Sequence, residues 1–468
     1  MNSGDDMEDC KIEGRWWIHG ADARAEFGTF SRDNDGRLSL VVKIPQGLSV
    51  DETALQFFET RGESSVPRVI IGRDANDKPV TLFGCYALRG SSTGMRTYNV
   101  DVLAAVQGLE LESWSQRCIH AINLDVDFLH EWLGGKILDT VKMPDGGSAF
   151  RIPREGEVLI DVSSGVQLRI VRWIGPSDSQ EEYSFRPAHQ FWLHFEAAQK
   201  LCDITDWWVP WVTRLMSLLV GDPVTCSKTE LFLEDPYDPD VKQFANPGTV
   251  IRRGKNDRPE SKNIHRFAML APYPNIASDF QSVVRNWFRV ASELEPVVDL
   301  FATVAFHSHL HSDAEFLFLV QALEVYHARV FDSRALPKEE HMRRVEAAVG
   351  GSPAEIQDWV RQKLQAVNYK YLDERIAEIF ECHNAEAARL FPNVAELPER
   401  IRYTRNHLTH YSGNTNSPKY LTPKEMVEVS WHLRVFIWIC LLKELGISGK
   451  AIERLIKRYG DARFVNLG

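Results

Sequence analysis

The chain has 468 residues, 44% hydrophobic and 25% charged, with a net charge of −11 at pH 7. That length exceeds a single core, so two or three domains are expected. The acidic balance excludes indiscriminate coating of nucleic acid and leaves only local, patch-like contact.

Seven cysteines (Cys10, Cys85, Cys118, Cys202, Cys226, Cys382, Cys440) are scattered, with no Cys-x-x-Cys spacing. They read as reduced thiols of a cytoplasmic protein, not as a disulfide framework or zinc site. The start, MNSGDDMEDC, is acidic and lacks the apolar core of a signal peptide. The most apolar run, Val435 to Leu442, is far short of the roughly 20 residues that span a bilayer. The expectation is a soluble cytoplasmic protein with no membrane partner.

From Gly14 to about Gly175 the punctuation is that of antiparallel β structure. Phe27-Gly-Thr-Phe and Leu38-Ser-Leu-Val-Val-Lys-Ile flank the turn-forming Asp33-Asn-Asp-Gly36. Val69-Ile-Ile and Val80-Thr-Leu-Phe flank Asp74-Ala-Asn-Asp-Lys-Pro79 in the same way. Later runs near Tyr98, Val158 and Val166 alternate too, which predicts a β-sandwich or partly closed barrel. Of the adjacent Trp16 and Trp17, one ring should enter the core. A ligand-stacking platform is the alternative. His120 and His130, with Asp125 and Asp127 between them, form a loose metal-like grouping that reads better as surface or strand-end residues.

Between His189 and Leu219 the period reads as helical, through Phe191, Phe195, Ala198 and Leu201 and then Trp211, Leu215 and Leu218, divided by Pro210. Trp207, Trp208 and Trp211 suggest a packing hub between domains, with an aromatic surface for a partner as the alternative. Leu231-Phe-Leu is a final strand. Residues 246–266 are rich in Pro, Gly, Asn and charge. They read as a solvated loop or, through Arg252, Arg253, Lys255 and Arg258, as a phosphate-contacting loop for RNA.

Beyond Asp279 the β signals vanish. Phe280 to Phe306 reads as one helix, or two joined near Pro296. Further helices follow from Asp313 to Phe331, from Pro353 through Leu364, and from Asp373 to Leu390. Pro398 opens another that ends by Tyr411. Thr422-Pro-Lys-Glu425 is a capping box for a nearly all-round apolar helix, which must lie at the centre of a bundle. Ser448 to Arg458 closes the chain with a basic amphipathic helix. The expected fold is α+β and multidomain. Its parts are a β-rich region (1–240, with helices near 189–220), a basic linker (241–278) and an all-α bundle (279–468).

Arg402-Tyr-Thr-Arg-Asn-His-Leu-Thr-His-Tyr411 is the densest set of ionisable residues in that bundle. Asn406 and His410 are four apart and share a helix face. Arg405 lies within reach of the same phosphate-sized group. These residues are either the exposed face of an amphipathic helix over Ile401 and Leu408, or a catalytic set. In the last turn a histidine faces the carbonyl end of the helix, where a cation is favoured. An imidazole there can exchange a proton with a ribose 2′-OH or a leaving 5′-oxygen, while Arg405 pairs with phosphate oxygens. His307, His309 and His311, with Asp313, could hold a metal, but in a helix-rich region they read as a helix junction.

Arg405-Asn406-x-x-x-His410, late in a helical bundle, resembles the Arg-Asn-x-x-x-His motif of HEPN ribonucleases. Glu324, in Phe318-Leu-Val-Gln-Ala-Leu-Glu-Val-Tyr, resembles the acidic position on an early helix of that bundle. A β-rich first half joined to such a domain resembles ApeA-type abortive-infection proteins. The resemblance implies a metal-independent endoribonuclease that uses no cofactor and cleaves host RNA such as tRNA in antiphage defence. It also implies a homodimer whose motif helices meet in a composite site, and the dimers could pair further into tetramers. Arg405, Asn406 and His410 would be catalytic, with Glu324 positioning Arg405. Arg402, His407 and Tyr411 would be neighbours, Arg402 and His407 forming a second, out-of-phase Arg-x4-His pair. The first half, with no chemistry of its own, would sense infection, for example a phage-derived protein trigger. The alternatives are a non-catalytic HEPN scaffold that binds RNA or protein, or a ligand-binding β-domain fused to a helical dimerisation module.

Overall fold

Asp33 and Asp74 start the fold by the same device. Asp33 Oδ1 accepts the backbone N–H groups of Asp35 (3.0 Å) and Arg37 (2.8 Å). Asp74 Oδ1 accepts those of Asn76 (2.8 Å) and Lys78 (2.9 Å). Each side chain thus closes a tight turn on its own backbone, as aspartate does well. The computed structural model describes residues 10–20, 25–45, 68–93, 95–134, 139–143, 147–151, 158–179, 182–236, 246–254, 264–306, 310–365, 367–410 and 418–460. The chain divides into two compact units, residues 1–216 with 224–267 and residues 217–223 with 268–468.

In the β unit the two turns join strands β2 (Glu26–Arg32) to β3 (Leu38–Pro45) and β4 (Arg68–Asp74) to β5 (Pro79–Thr93). With β1 (Lys11–Ile18) and β6 (Met95–Val102) these close into a six-stranded antiparallel barrel, in the order β1-β2-β3-β6-β5-β4 and back to β1. Alternation fills it: Phe30, Leu38, Leu40, Val80, Leu82, Val100 and Val102 are all buried in one cluster. Trp16 joins that core and donates from Nε1 to the Gly28 carbonyl (3.1 Å), while Trp17 is half-buried. Gly72 faces the Trp16 ring so closely that a Cβ there would lie 2.3 Å from it.

Beyond β6, β7 (Ala104–Gln107) continues the long hairpin with β5. Gly84, at φ 61°, marks the place where β5 changes partner from β7 to β6. A Cβ there would meet Leu103 at 2.6 Å. Through β7 the same antiparallel sheet continues as β7-β15-β14-β8-β13-β12-β11, with β8 (Arg117–Val126), β11 (Val158–Ser163), β12 (Val166–Ser179), β13 (Glu182–Lys200), β14 (Cys226–Phe232) and β15 (Gly248–Arg252). Between β8 and β11 lie a short helix α1 (Leu129–Leu133) and a separate ribbon, β9 (Asp139–Lys142) with β10 (Ser148–Arg151).

Two expectations need correction here. Residues 189–200 are strand, not helix: Phe191, Leu193 and Phe195 are all buried and alternate with Trp192 and His194. The Phe191/Phe195 spacing of four fits either period, and pairing with both β12 and β8 decides for the strand. Helix starts only at Leu201 and runs through a wide turn at Ile204–Trp208 into α2 (Val209–Val220). Trp208 and Trp211 are buried. The expected linker 241–278 contains strand β15 and two short helical turns, Arg266–Ala268 and Tyr273–Ile276. Valine and isoleucine at 250 and 251 put it in the sheet.

The second unit is helical: α3 (Phe280–Glu293), α4 (Glu295–Phe306), α5 (Ser312–Val330), α6 (Lys338–Gly350), α7 (Gln357–Gln365), α8 (Leu372–Cys382), α9 (Asn384–Leu390), α10 (Leu397–His410), α11 (Pro423–Glu444) and α12 (Lys450–Leu455). The chain breaks at Leu294, so Phe280 to Phe306 is two helices with Pro296 in the first turn of the second, where proline costs no hydrogen bond. α11 is central. Leu433, Phe436, Ile439, Leu441 and Leu442 are fully buried, and Phe436 packs edge-on against Phe380 of α8 (5.0 Å). No helix among the described residues is long and apolar enough to cross a membrane.

Candidate functional site

α10 starts with Pro398 and Glu399 in its first turn, the residue types that suit a helix N-terminus. Leu397, Ile401 and Thr404 make its buried face. Thr404 Oγ1 donates to the Arg400 carbonyl (2.8 Å) and accepts the N–H of Leu421 (2.9 Å), which ties the returning chain to the helix. Arg400 Nη2 reaches both oxygens of Glu425 (2.9 Å each) and the Tyr420 carbonyl (3.0 Å). Glu425 also closes the capping box of α11, accepting the Thr422 N–H at 2.8 Å. That backbone bond, with Arg400 beside it, holds the Glu425 carboxyl below its usual value. One carboxylate therefore starts α11 and anchors α10.

The polar set begins at the edge of that buried face with Arg405 and runs around α10 to Asn406 and His410. Glu324 of α5 accepts Arg405 Nη2 at 3.3 Å, and Arg405 Nη1 donates to Asn406 Oδ1 at 3.2 Å. Arg405 and Asn406 are half-buried, whereas His410, the last residue of the helix, is exposed. Four residues of helix separate Asn406 and His410 by about 6 Å of rise. The fixed guanidinium thus lies a little over one turn before the accessible imidazole along the helix. The second oxygen of Glu324 is not idle: Arg375 of α8 pairs with Oε1 at 3.5 Å and donates from Nε to the Lys370 carbonyl at 2.9 Å. α8 also presents Asp373 to Arg402 (3.1 Å). Asp373 and Arg375 escape a reading of sequence alone. Their only local signal is a charged first turn, Asp373-Glu374-Arg375, with nothing to name the partners.

Arg402 lies over the Tyr403 ring (4.6 Å) as well as against Asp373. His407 packs edge-on against Tyr420 (5.6 Å). The second Arg-x4-His pair is thus engaged in packing on the motif helix, apart from Glu324. Tyr411 lies outside the described residues.

Arg252 and Arg253, expected in a phosphate-contacting loop, are engaged within the β unit. Arg252 donates to the Thr205 carbonyl (2.8 Å) and Asp206 (3.0 Å). Arg253 and Arg37 share Asp101, at 2.9 Å each. Lys255 and Arg258 lie outside the described residues.

His130 meets His189 of β13, Nδ1 to Nδ1 at 3.1 Å. Asp127 accepts instead from Thr225, so the loose grouping around His120 does not assemble. His307 and His309 lie outside the described residues, and His311 is an exposed residue at the start of α5. No group of three metal-binding side chains comes together among the described residues.

A family model described as ApeA N-terminal domain 1 matches residues 11–287, and one described as Apea-like HEPN matches residues 317–450. No curated protein and no solved structure matches the chain.

Proposed function

The chain belongs to the family of ApeA-like HEPN proteins, and from that premise we propose that it is an endoribonuclease with Arg405, Asn406 and His410 as its catalytic residues. HEPN domains of this family are generally of ribonuclease type. The observation that carries the reading is the junction of Glu324, Arg405 and Asn406 on the helix that ends in an exposed His410.

The chemistry follows from those groups. A neutral imidazole takes the proton of a ribose 2′-OH. The 2′-oxygen then bonds to the adjacent phosphorus, and the phosphorus–5′-oxygen bond breaks. The departing 5′-oxygen takes a proton from an imidazolium, leaving a 2′,3′-cyclic phosphate and a 5′-hydroxyl. Arg405 pairs with the non-bridging oxygens as charge builds on them. Nothing in that sequence calls for a metal. DNA, without a 2′-OH, is not cut by this route.

In-line attack puts the 2′-oxygen and the departing 5′-oxygen on opposite sides of the phosphorus, so base and acid are best supplied by two imidazoles. A homodimer through the helical unit, with the motif helices facing across a two-fold axis, supplies the second imidazole. Host RNA, tRNA foremost, is the proposed substrate, and growth arrest during phage infection the outcome. The β unit would then respond to the infection signal.

The test uses purified protein and total tRNA in EDTA. Wild type is expected to leave fragments ending in 2′,3′-cyclic phosphate, and His410→Ala to cut at least about 100-fold more slowly. Equal cutting by both proteins, or cutting that requires a divalent metal, would overturn the mechanism.

A further inference from the structure

Residues 367–371, between α7 and α8, alternate in a way no bundle core requires. Val367, Tyr369 and Tyr371 are 61%, 60% and 72% exposed, while Asn368 and Lys370 turn inward. The inward residues pin the run. Asn368 accepts the Leu336 N–H (2.9 Å) and donates to the Leu336 carbonyl (3.0 Å). The Lys370 N–H donates to the Ser333 carbonyl (2.9 Å), and its Nζ to Glu378 (2.6 Å). Glu378 in turn holds the fully buried His327 at 2.7 Å. The outward rings are therefore held in water by a fixed backbone. They lie two positions apart, with a bend at Tyr369, in the short connection that leads into α8.

Three large side chains exposed within five residues, two of them aromatic, make a concentrated exposed patch of the kind that marks a binding surface. Its position says what. Tyr371 directly precedes α8, and within the next four residues Asp373 holds Arg402 and Arg375 holds the Glu324 that binds Arg405. We propose that Tyr369 and Tyr371 are a stacking platform for unpaired bases of the RNA strand that is cut beside Arg405. Every base offers a π-face, so rings select for unstacked, single-stranded nucleotides without selecting sequence. The same strand then meets ring faces and guanidinium groups in succession. The paired stem of an RNA hides its base faces and gains nothing from the platform. This inference rests on the ribonuclease reading and adds to it a preference for loops over duplex.

The experiment measures binding of a labelled RNA stem–loop, and of the same RNA closed into a full duplex, to full-length protein carrying His410→Ala. Adding Tyr369→Ala with Tyr371→Ala is expected to weaken stem–loop binding by at least about tenfold and to leave duplex binding unchanged. Adding Tyr369→Phe with Tyr371→Phe, which keeps the rings, stays near the parent. Stem–loop binding unchanged in the alanine pair overturns the platform. So does a fall in molar mass by light scattering with RNA affinity intact, which would assign the row to contact with a second copy. In parallel, the same tyrosine pairs are made with His410 intact and assayed for cleavage. Equal cutting with and without the rings sinks the platform and leaves the ribonuclease standing. Neither binding nor cutting by any form sinks both.

Discussion

Glu324 has two oxygens and gives one to each of two arginines, Arg405 of α10 and Arg375 of α8. A carboxylate held from one side only could swing with its rotamer. Held from both, it fixes where the Arg405 guanidinium points. Arg375 is well placed for that task, with its side chain only 15% exposed and its Nε committed to the Lys370 carbonyl. On the proposed ribonuclease reading it is a positioning residue, because it meets Arg405 only through Glu324. Arg375→Ala is therefore expected to lower kcat of RNA cleavage by roughly 10- to 100-fold with KM little changed, since a displacement of about 1 Å can cost that much. Arg375→Lys should restore part of the loss. A variant that loses KM instead would show that Arg375 binds RNA directly.

At the scale of elements, the barrel and the motif helix depend on single close approaches. In the barrel, β4 can lie against Trp16 of β1 only because residue 72 has no Cβ. Gly72→Ala is expected to destabilise the β unit by about 1–3 kcal/mol, the usual cost of overpacking. Thermal melting followed by tryptophan fluorescence would read it, and an unchanged midpoint would mean that the Trp16 ring moves freely. In the helical unit, Glu425 serves the cap of α11 and the Arg400 of α10 together, so the motif helix is fastened at its base while its last turn, with His410, stays open.

At the scale of the whole molecule, several groups of the helical unit, among the described residues, couple pH to stability. Burial pushes the His383 and His432 imidazoles below their ordinary value, with Lys443 adding to the effect at His383. A group depressed in the fold contributes stability that is complete above its unfolded value, about 6.5 for histidine, and is lost as pH falls through the folded value. Glu378, depressed by Lys370 and His327, acts in the same sense below about 4.3. Glu315, raised by burial, acts in the opposite sense. The balance predicts a melting temperature that drops as pH falls from 7 to 5. The double variant His383→Gln with His432→Gln should flatten that drop. A wild-type melting temperature that rises over the same range would contradict the assignment.

Much of this was legible in the chain because it is local. The Asp33 and Asp74 turns, the Thr422 capping box, Pro398 in the first turn of α10 and the break before Pro296 each depend on residues within about five positions of one another. Short-range hydrogen bonding and periodicity determine them by themselves, as they determine that a β-rich half precedes a helical one. What only the tertiary structure decided involves partners far apart. Phe191 and Phe195 suit a helix or a strand until β12 and β8 pair on either side. Arg252 and Arg253 look like phosphate ligands until Asp206 and Asp101 arrive from other strands. The dense run from Arg402 to His410 marked the candidate site, but its spacing could not say which carboxylate each arginine meets. That was settled by packing α5 and α8 against α10, because an ion pair between residues 81 positions apart exists only once the helices meet.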